Sequence, residues 1–328
     1  MPNAKIKGIG ACVPDKILTN ADLEKIVDTS DEWITTRSGI KERHIVTEDQ
    51  ASSDLSTIAA KNALEDAGIE AEELDLIIIG TVTPDYMFPS TASIVQKNLG
   101  IKNIPCFDFE AACAGFLYGV HTARAFIESG LYKNVLVIGV ELLTKITNWE
   151  DRSTCVLFGD GAGAAIVSVS DEGDQSKILS SAISADGHLG HLLLQPAGGS
   201  RNPPSHETVE KNLHTIQMAG REVFKHAVSK MAKISKEAMK MAGLKPEDID
   251  WVVPHQANIR IIDSLTKKLK QPSERVIKTI HKYGNTSSSS VPIAMVDAYQ
   301  EGKFKRGDKI LLVAFGGGFT WGSVLLNW

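Results

Sequence analysis

Along the chain, short unbroken apolar runs alternate with longer stretches whose apolar residues return every three or four positions. "LDLIIIG" (74–80), "NVLVIGV" (134–140) and "KILLVAFGG" (309–317) are runs of the first kind. A strand solvated on one side would alternate apolar and polar residues, so these runs predict strands covered on both faces. "CAGFLYGVHTARAFIESG" (113–130) is of the second kind. Its Phe116, Leu117, Val120, Ala123 and Ile127 fall on one helical stripe, and Gly130 stands where a helix would stop. Interleaved elements of these two types predict a layered α/β sandwich.

The pattern occurs twice. "ALEDAGIEAEELDLIIIG" (63–80) aligns with "AMKMAGLKPEDIDWVVPH" (238–255) as helix, glycine stop, acidic turn and strand, with Asp75 over Asp250 at an offset of 175 residues. "AFIESGLYKNVLVIGVE" (125–141) aligns with "AYQEGKFKRGDKILLVAFGG" (298–317), Gly130 over Gly302, at an offset of 172. Counting back 17 residues from each glycine sets Cys113 opposite Asn285. The polar stretch "SVSDEGDQSK" (168–177) is the expected boundary between two α/β copies, residues 1–172 and 173–328.

Composition narrows the function. A chain of 328 residues with 43% hydrophobic and 23% charged residues buries a large core and indicates neither disorder nor a fibrous repeat. A net charge of −5 argues against a general nucleic-acid binder. The first residues, "MPNAKIKGIGACVP", lack the layout of a signal peptide, and no apolar run reaches membrane-spanning length, so a cytoplasmic protein without a membrane partner is expected. The four cysteines show no metal-binding spacing, and "HLGH" (188–191) is expected to be a loop rather than a zinc site; no metal is expected. "FGDGAGAAIVSVS" (158–170) hints at a dinucleotide loop, but β-branched alternation rather than a helix follows its glycines. A strand-to-strand turn is expected there, with no cofactor.

Chemistry concentrates in four places. Cys113 stands where an apolar strand meets a helix, and a helix N-terminus stabilises thiolate; an inert buried cysteine is the alternative, and the one retained for Cys12, Cys106 and Cys155. His255, in "VVPHQANIR", directly follows a strand, the end where α/β sheets gather reactive groups, although a structural histidine would also fit. "KYGNTSSSSVP" (283–292) reads either as a flexible Gly/Ser loop or, through the repeat, as the place of Asn285. "AFGGGFTWG" (314–322) ends a buried strand in three glycines, where backbone N–H groups can meet a ligand or simply turn the chain.

Cys113 in "AACAGF", His255 in "PHQANIR", Asn285 in "YGNTSSSSVP" and the tail "FGGGFTWGS" together resemble the thiolase superfamily, and within it the β-ketoacyl-acyl-carrier-protein synthase III family. "DEWITTRSGIKERHI" (31–45) and "LFGDGAGAA" (157–165) extend the resemblance over nearly the whole chain. It implies two βαβαβαββ halves in a five-layered αβαβα sandwich. A thiolase would carry a second cysteine near its C-terminus, absent from "LLVAFGGGFTWGSVLLNW"; elongating synthases use two histidines where Asn285 holds one place here; plant-type polyketide synthases are usually longer.

The resemblance implies that Cys113 takes a short acyl group from acyl-CoA. Malonyl-acyl-carrier protein then loses CO2, and its carbanion condenses with acyl-Cys113, initiating fatty-acid synthesis. The Cys113 and Gly317 N–H groups would hold the oxyanion, and His255 and Asn285 the enolate. Trp33 and Arg152 would sandwich the CoA adenine, with Arg37 near its phosphates and Asn258 beside them. Phe158, Met218 and Phe224 would line the acyl pocket or tunnel, and Phe88 in "DYMFPS" would close the pocket of a second copy, since the family is homodimeric. Arg260, with Lys267, Lys268 and Lys270 of "RIIDSLTKKLK", is the candidate docking patch for the acidic carrier protein. "QPAGGSRNPPSHETVEKNLH" (195–214) is longer and more polar than in shorter relatives, which leaves primer preference open. The same residues could also serve an acyltransferase that acts on a specialised-metabolite acceptor.

Overall fold

Nine strands build two sheets. The computed structural model describes residues 2–328. In the first half β1 (Ala4–Cys12), β2 (Leu76–Gly80), β3 (Cys106–Phe109), β4 (Asn134–Leu142) and β5 (Asp160–Val169) lie in the order β1-β5-β4-β2-β3. In the second, β6 (Lys177–Ala185), β7 (Trp251–Pro254), β8 (Lys309–Gly316) and β9 (Thr320–Asn327) lie in the order β7-β8-β9-β6. The sheets therefore divide the chain between Val169 and Lys177.

Seven helices of eight residues or more cover these sheets: α1 (Asp31–Ser38), α2 (Ser52–Ala67), α3 (Thr91–Asn98), α4 (Gly115–Glu128), α5 (Gly220–Met241), α6 (Ile259–Leu269) and α7 (Ser290–Gln300). Side-chain alternation within the apolar runs shows where each layer sits. On β2, Leu76 and Ile78 join Phe116, Leu117 and Val120 of α4, whereas Ile77 and Ile79 join Leu55, Ala59 and Ala63 of α2. On β8, Ile310, Leu312 and Ala314 face Ala294 and Met295 of α7, whereas Leu311 and Val313 face Met231 of α5 and Ile262 of α6. Both faces of each central strand are dry, which is why the runs are unbroken; each such side chain contributes ~1.5–3 kcal/mol of hydrophobic stabilisation. The layers are α2 and α3, the first sheet, α4 and α7, the second sheet, then α5 and α6, as the resemblance implies.

The duplication is physical as well as sequential. Asp75 Oδ2 accepts from the amides of Lys133 and Asn134 (2.7 and 2.9 Å) at the start of β4, and Asp250 Oδ2 accepts from Lys309 N (2.8 Å) at the start of β8. One expectation is corrected. Ala112 (φ 44°) and Ser287 (φ 51°) are matching left-handed residues, each opening a 3-10 turn that leads into a central helix. The offset there is still 175, so Cys113 matches Ser288, not Asn285. The change to 172 arises inside the helices, because α4 has 14 residues and α7 has 11. The copies differ at one edge too: the counterpart of β3 shrinks to a single bridge between Val252 and Val276.

Gly161 and Gly163 of "GDGAG" lie within β5 rather than in a turn, and Gly159 directly precedes the strand. A Cβ at Gly163 would stand 2.5 Å from Pro292 Cγ, so the missing side chain lets α7 lie directly on the strand. "HLGH" forms part of a 3-10 helix (Gly187–Leu192), and the polar 195–214 segment contains a short helix, His206–Glu210. Among the described residues no helix is long and apolar enough to cross a membrane.

Candidate active site

A cavity of about 610 Å³ lies where the two halves meet, with Cys113, His255 and Asn285 all on its wall. Cys113 occupies the turn Ala112–Ala114 that feeds α4. The end of β8 packs against it: a Cβ at Gly316 would sit 2.4 Å from Cys113 N, so only glycine allows this approach. Gly317 adjoins Ala112 and the Leu193 carbonyl. His255 leaves the end of β7, its amide donating to Val313 O (2.8 Å). Asn285 is clamped along its backbone, donating to Leu157 O (2.8 Å) and accepting from Gly159 N (3.0 Å). Its Oδ1 accepts from Ser287 N (2.9 Å), which leaves the Nδ2 donors for the cavity.

Electrostatics keeps the resting pair neutral. Burial holds the His255 imidazole down at about 3, and its Nδ1 is hydrogen-bonded to Ser290 Oγ (2.6 Å). Burial pushes the Cys113 thiol up to about 12; the Ser287 hydroxyl, 3.3 Å from the sulfur, opposes this, and buried Glu141 adds to it. The direction is the reverse of the one expected from the helix terminus: desolvation of a thiolate at this half-buried sulfur outweighs the dipole.

The remaining candidates fall into three groups. Trp33, Arg37, Asn258, Arg260, Phe158, Met218 and Phe224 line the same cavity. Arg152 lies beside it, its guanidinium 5.0 Å from the Trp33 ring centre and Arg37's 5.8 Å away. Asn258 is engaged at both ends, donating from Nδ2 to Arg37 O (3.0 Å) and accepting at Oδ1 from Arg260 N (2.9 Å) at the start of α6. It holds α1 against α6 and thereby places Arg37. Phe88 lies outside the cavity and is 86% exposed. Lys267 and Lys268 sit in the last turn of α6, about 10–12 Å along the axis from Arg260. At the cavity wall, Arg221 and Lys225 of α5 join Arg260 instead.

Sequence reasoning missed Ser287, Ser290, Gly316, Leu193, Arg221, Lys225 and Glu141. The signal for the serines was present, since five consecutive hydroxyl residues beside a candidate Asn are unusual material for a solvated linker; all five are buried. Among the described residues no group of three or more His, Cys, Asp or Glu is arranged to hold a metal ion.

The family described as 3-oxoacyl-[acyl-carrier-protein (ACP)] synthase III matches residues 107–187, and its C-terminal counterpart matches residues 239–328. A protein of Caldanaerobacter subterraneus subsp. tengcongensis named beta-ketoacyl-[acyl-carrier-protein] synthase III is 58% identical over 99% of this chain and 98% of its own. One of the same name from Clostridioides difficile is 52% identical over 99% of this chain and 98% of its own. The crystal structure of 3-oxoacyl-[acyl-carrier-protein] synthase III from Aquifex aeolicus VF5 superposes with a TM-score of 0.92 at 52% identity, covering 99% of this chain and 100% of the other. The chain thus belongs to the β-ketoacyl-acyl-carrier-protein synthase III family, thiolase-fold acyltransferases that carry out a condensation.

Proposed function

We propose that the cavity joins a short acyl group from acyl-CoA to malonyl-acyl-carrier protein in two half-reactions, initiating a fatty-acid chain. The observation that carries this reading is the convergence of one sulfur, one neutral imidazole and one free amide on the wall of a single cavity. In the first half-reaction Cys113 Sγ bonds to the acyl carbon and the carbon–sulfur bond to CoA breaks. The proton that Cys113 gives up is the one the CoA sulfur takes. The N–H groups of Cys113 and Gly317 stabilise the tetrahedral oxyanion. Trp33, Arg37 and Arg152 supply an aromatic face and guanidinium planes suited to a purine base and its phosphates.

In the second half-reaction the malonyl carbon–carboxylate bond breaks and its electron pair moves towards the thioester oxygen. In the tautomer in which Ser290 donates to His255 Nδ1, Nε2 bears the hydrogen, and His255 and Asn285 then each present a donor to that enolate. The α-carbon attacks acyl-Cys113 and its carbon–sulfur bond breaks, giving a 3-oxoacyl thioester and a Cys113 thiolate that takes a proton from water. Arg260, Arg221, Lys225 and Arg37 surround the mouth with positive charge for an acidic carrier protein. The same reading makes the molecule a homodimer in which the Phe88 loop closes the acyl pocket of the other copy.

The test separates the halves. His255→Ala and Asn285→Ala are expected to take up an acyl group on Cys113, read by intact mass spectrometry, while condensation with malonyl-acyl-carrier protein falls by ~10²–10³. Variants that fail to acylate but still decarboxylate malonyl substrate normally would reject this division of labour.

A further inference from the structure

Glu141, at the end of β4, is fully buried, and among the described residues no basic side chain forms an ion pair with it. Donors from two loops, one in each half of the fold, occupy its carboxyl oxygens. Val82 N reaches both of them (3.2 and 3.3 Å), Thr83 Oγ1 donates to Oε2 (3.0 Å), and Ser288 Oγ lies 3.1 Å from Oε1. The first loop follows β2 and carries exposed Tyr86, Met87 and Phe88. The second is the turn that aims Asn285, where Ser287 N holds Asn285 Oδ1 and Ser287 Oγ reaches Cys113 Sγ. Ser287 adopts a left-handed backbone (φ 51°) that a non-glycine residue disfavours, so this turn needs support from outside itself. The Ser288 hydroxyl also lies within reach of Gly80 O (3.1 Å) and Val140 O (3.3 Å), but has one proton to give. Glu141 is the only one of its three partners that also grips the other loop.

We propose that Glu141 is a positioning residue for the condensation step: through Ser288 it holds the turn that aims the Asn285 amide, and through Val82 and Thr83 it locks that turn to the root of the Phe88 loop. This rests on the reading of Asn285 as an enolate donor. The burial that drives the Glu141 carboxyl up to about 8 is consistent with a group retained for its contacts, since isolating a carboxyl from water destabilises its charged form.

The experiment uses the full chain with Glu141→Ala, Glu141→Gln, Asn285→Ala and the Glu141→Ala/Asn285→Ala double variant. Acylation of Cys113 by acetyl-CoA is followed by intact mass, and condensation with malonyl-acyl-carrier protein by product formation. Glu141→Ala is expected to acylate within about threefold of wild type but to lose about tenfold to a hundredfold in condensation, less than deletion of the donor itself. Glu141→Gln, which keeps the shape and one acceptor oxygen, recovers part of the loss and carries the test should the alanine variant not fold. In the double variant Glu141→Ala costs no more than about twofold beyond Asn285→Ala, because the group it positions is gone. Equal losses in both half-reactions, unimpaired condensation, or fully additive losses in the double variant would overturn the proposal. Normal condensation by Asn285→Ala would instead overturn the reading of Asn285.

Discussion

At Cys113 two physical effects oppose each other, and their sizes decide the outcome. A helix terminus stabilises a nearby anion by ~0.3–1 kcal/mol, up to ~2 kcal/mol in a partly buried site, or roughly one pKa unit. Burial pushes this thiol several times further, to about 12. The thiolate fraction therefore climbs across the whole neutral range. Alkylation of Cys113 by iodoacetamide, followed by peptide mass spectrometry, should rise about tenfold per pH unit between about pH 6 and 9 without levelling. A plateau beginning near pH 7 would show that the helix end prevails over desolvation. Cys113 and His255 were legible in the sequence because each sits in a short motif tied to a strand end, whereas the repeat alignment that singled out Asn285 lands on Ser288 in the structure, leaving only its motif to mark it. Their supports were not. Ser290 matters because it meets the His255 ring across 35 residues, Ser287 because it meets Cys113 across 174, and Gly316 because a β8 terminus abuts the Cys113 amide. Such roles exist only once the halves have met.

Elements explain why some signals pointed the wrong way. Glycines in a strand mimic a phosphate loop when read locally, yet Gly163 is small because Pro292 of α7 occupies the space. Gly163→Ala should therefore lower unfolding stability by ~1–3 kcal/mol, measured by chemical denaturation, whereas unchanged stability would show that α7 can yield. The helix α6 makes a related point about charge. Its run of cations reads as one patch in sequence, but a rise of 1.5 Å per residue carries Lys267 and Lys268 two turns away from Arg260. Arg260→Glu should raise the KM for the carrier-protein substrate while sparing acylation by acyl-CoA, and Lys267→Glu should change neither. Unchanged carrier kinetics in Arg260→Glu would remove the docking role. The strand and helix pattern itself was the most legible feature, since both-face burial writes unbroken apolar runs directly into β2, β4 and β8. The lengths of α4 and α7 were less so: a three-residue difference inside a helix leaves the apolar stripe intact and cannot be placed from the repeat alone.

For the whole molecule, the first sheet ends in an unpaired edge. Among the described residues β3 has β2 on one side and no strand on the other, and Phe107 on it is 37% exposed. The exposed Tyr86, Met87 and Phe88 belong to the loop that follows β2, the neighbour of β3. An open edge joined by large exposed apolar side chains is a template for another chain, and natural proteins cover such edges or charge them. A twofold axis beside β3 would let the strand pair antiparallel with its own copy, turning two five-stranded sheets into one of ten strands. A stable interface of this kind buries at least ~1,200–2,000 Å², more than β3 alone offers, so the Tyr86–Phe88 loops must contribute to it. Phe107→Lys combined with Met87→Asp should therefore convert the proposed dimer into a monomer in sedimentation-velocity runs at micromolar concentration. Because Phe88 is proposed to close the acyl pocket of the other copy, that monomer should also acylate Cys113 more slowly. A wild-type protein that sediments as a monomer, or a dissociated variant acylating at the full rate, would show that each chain completes its own site.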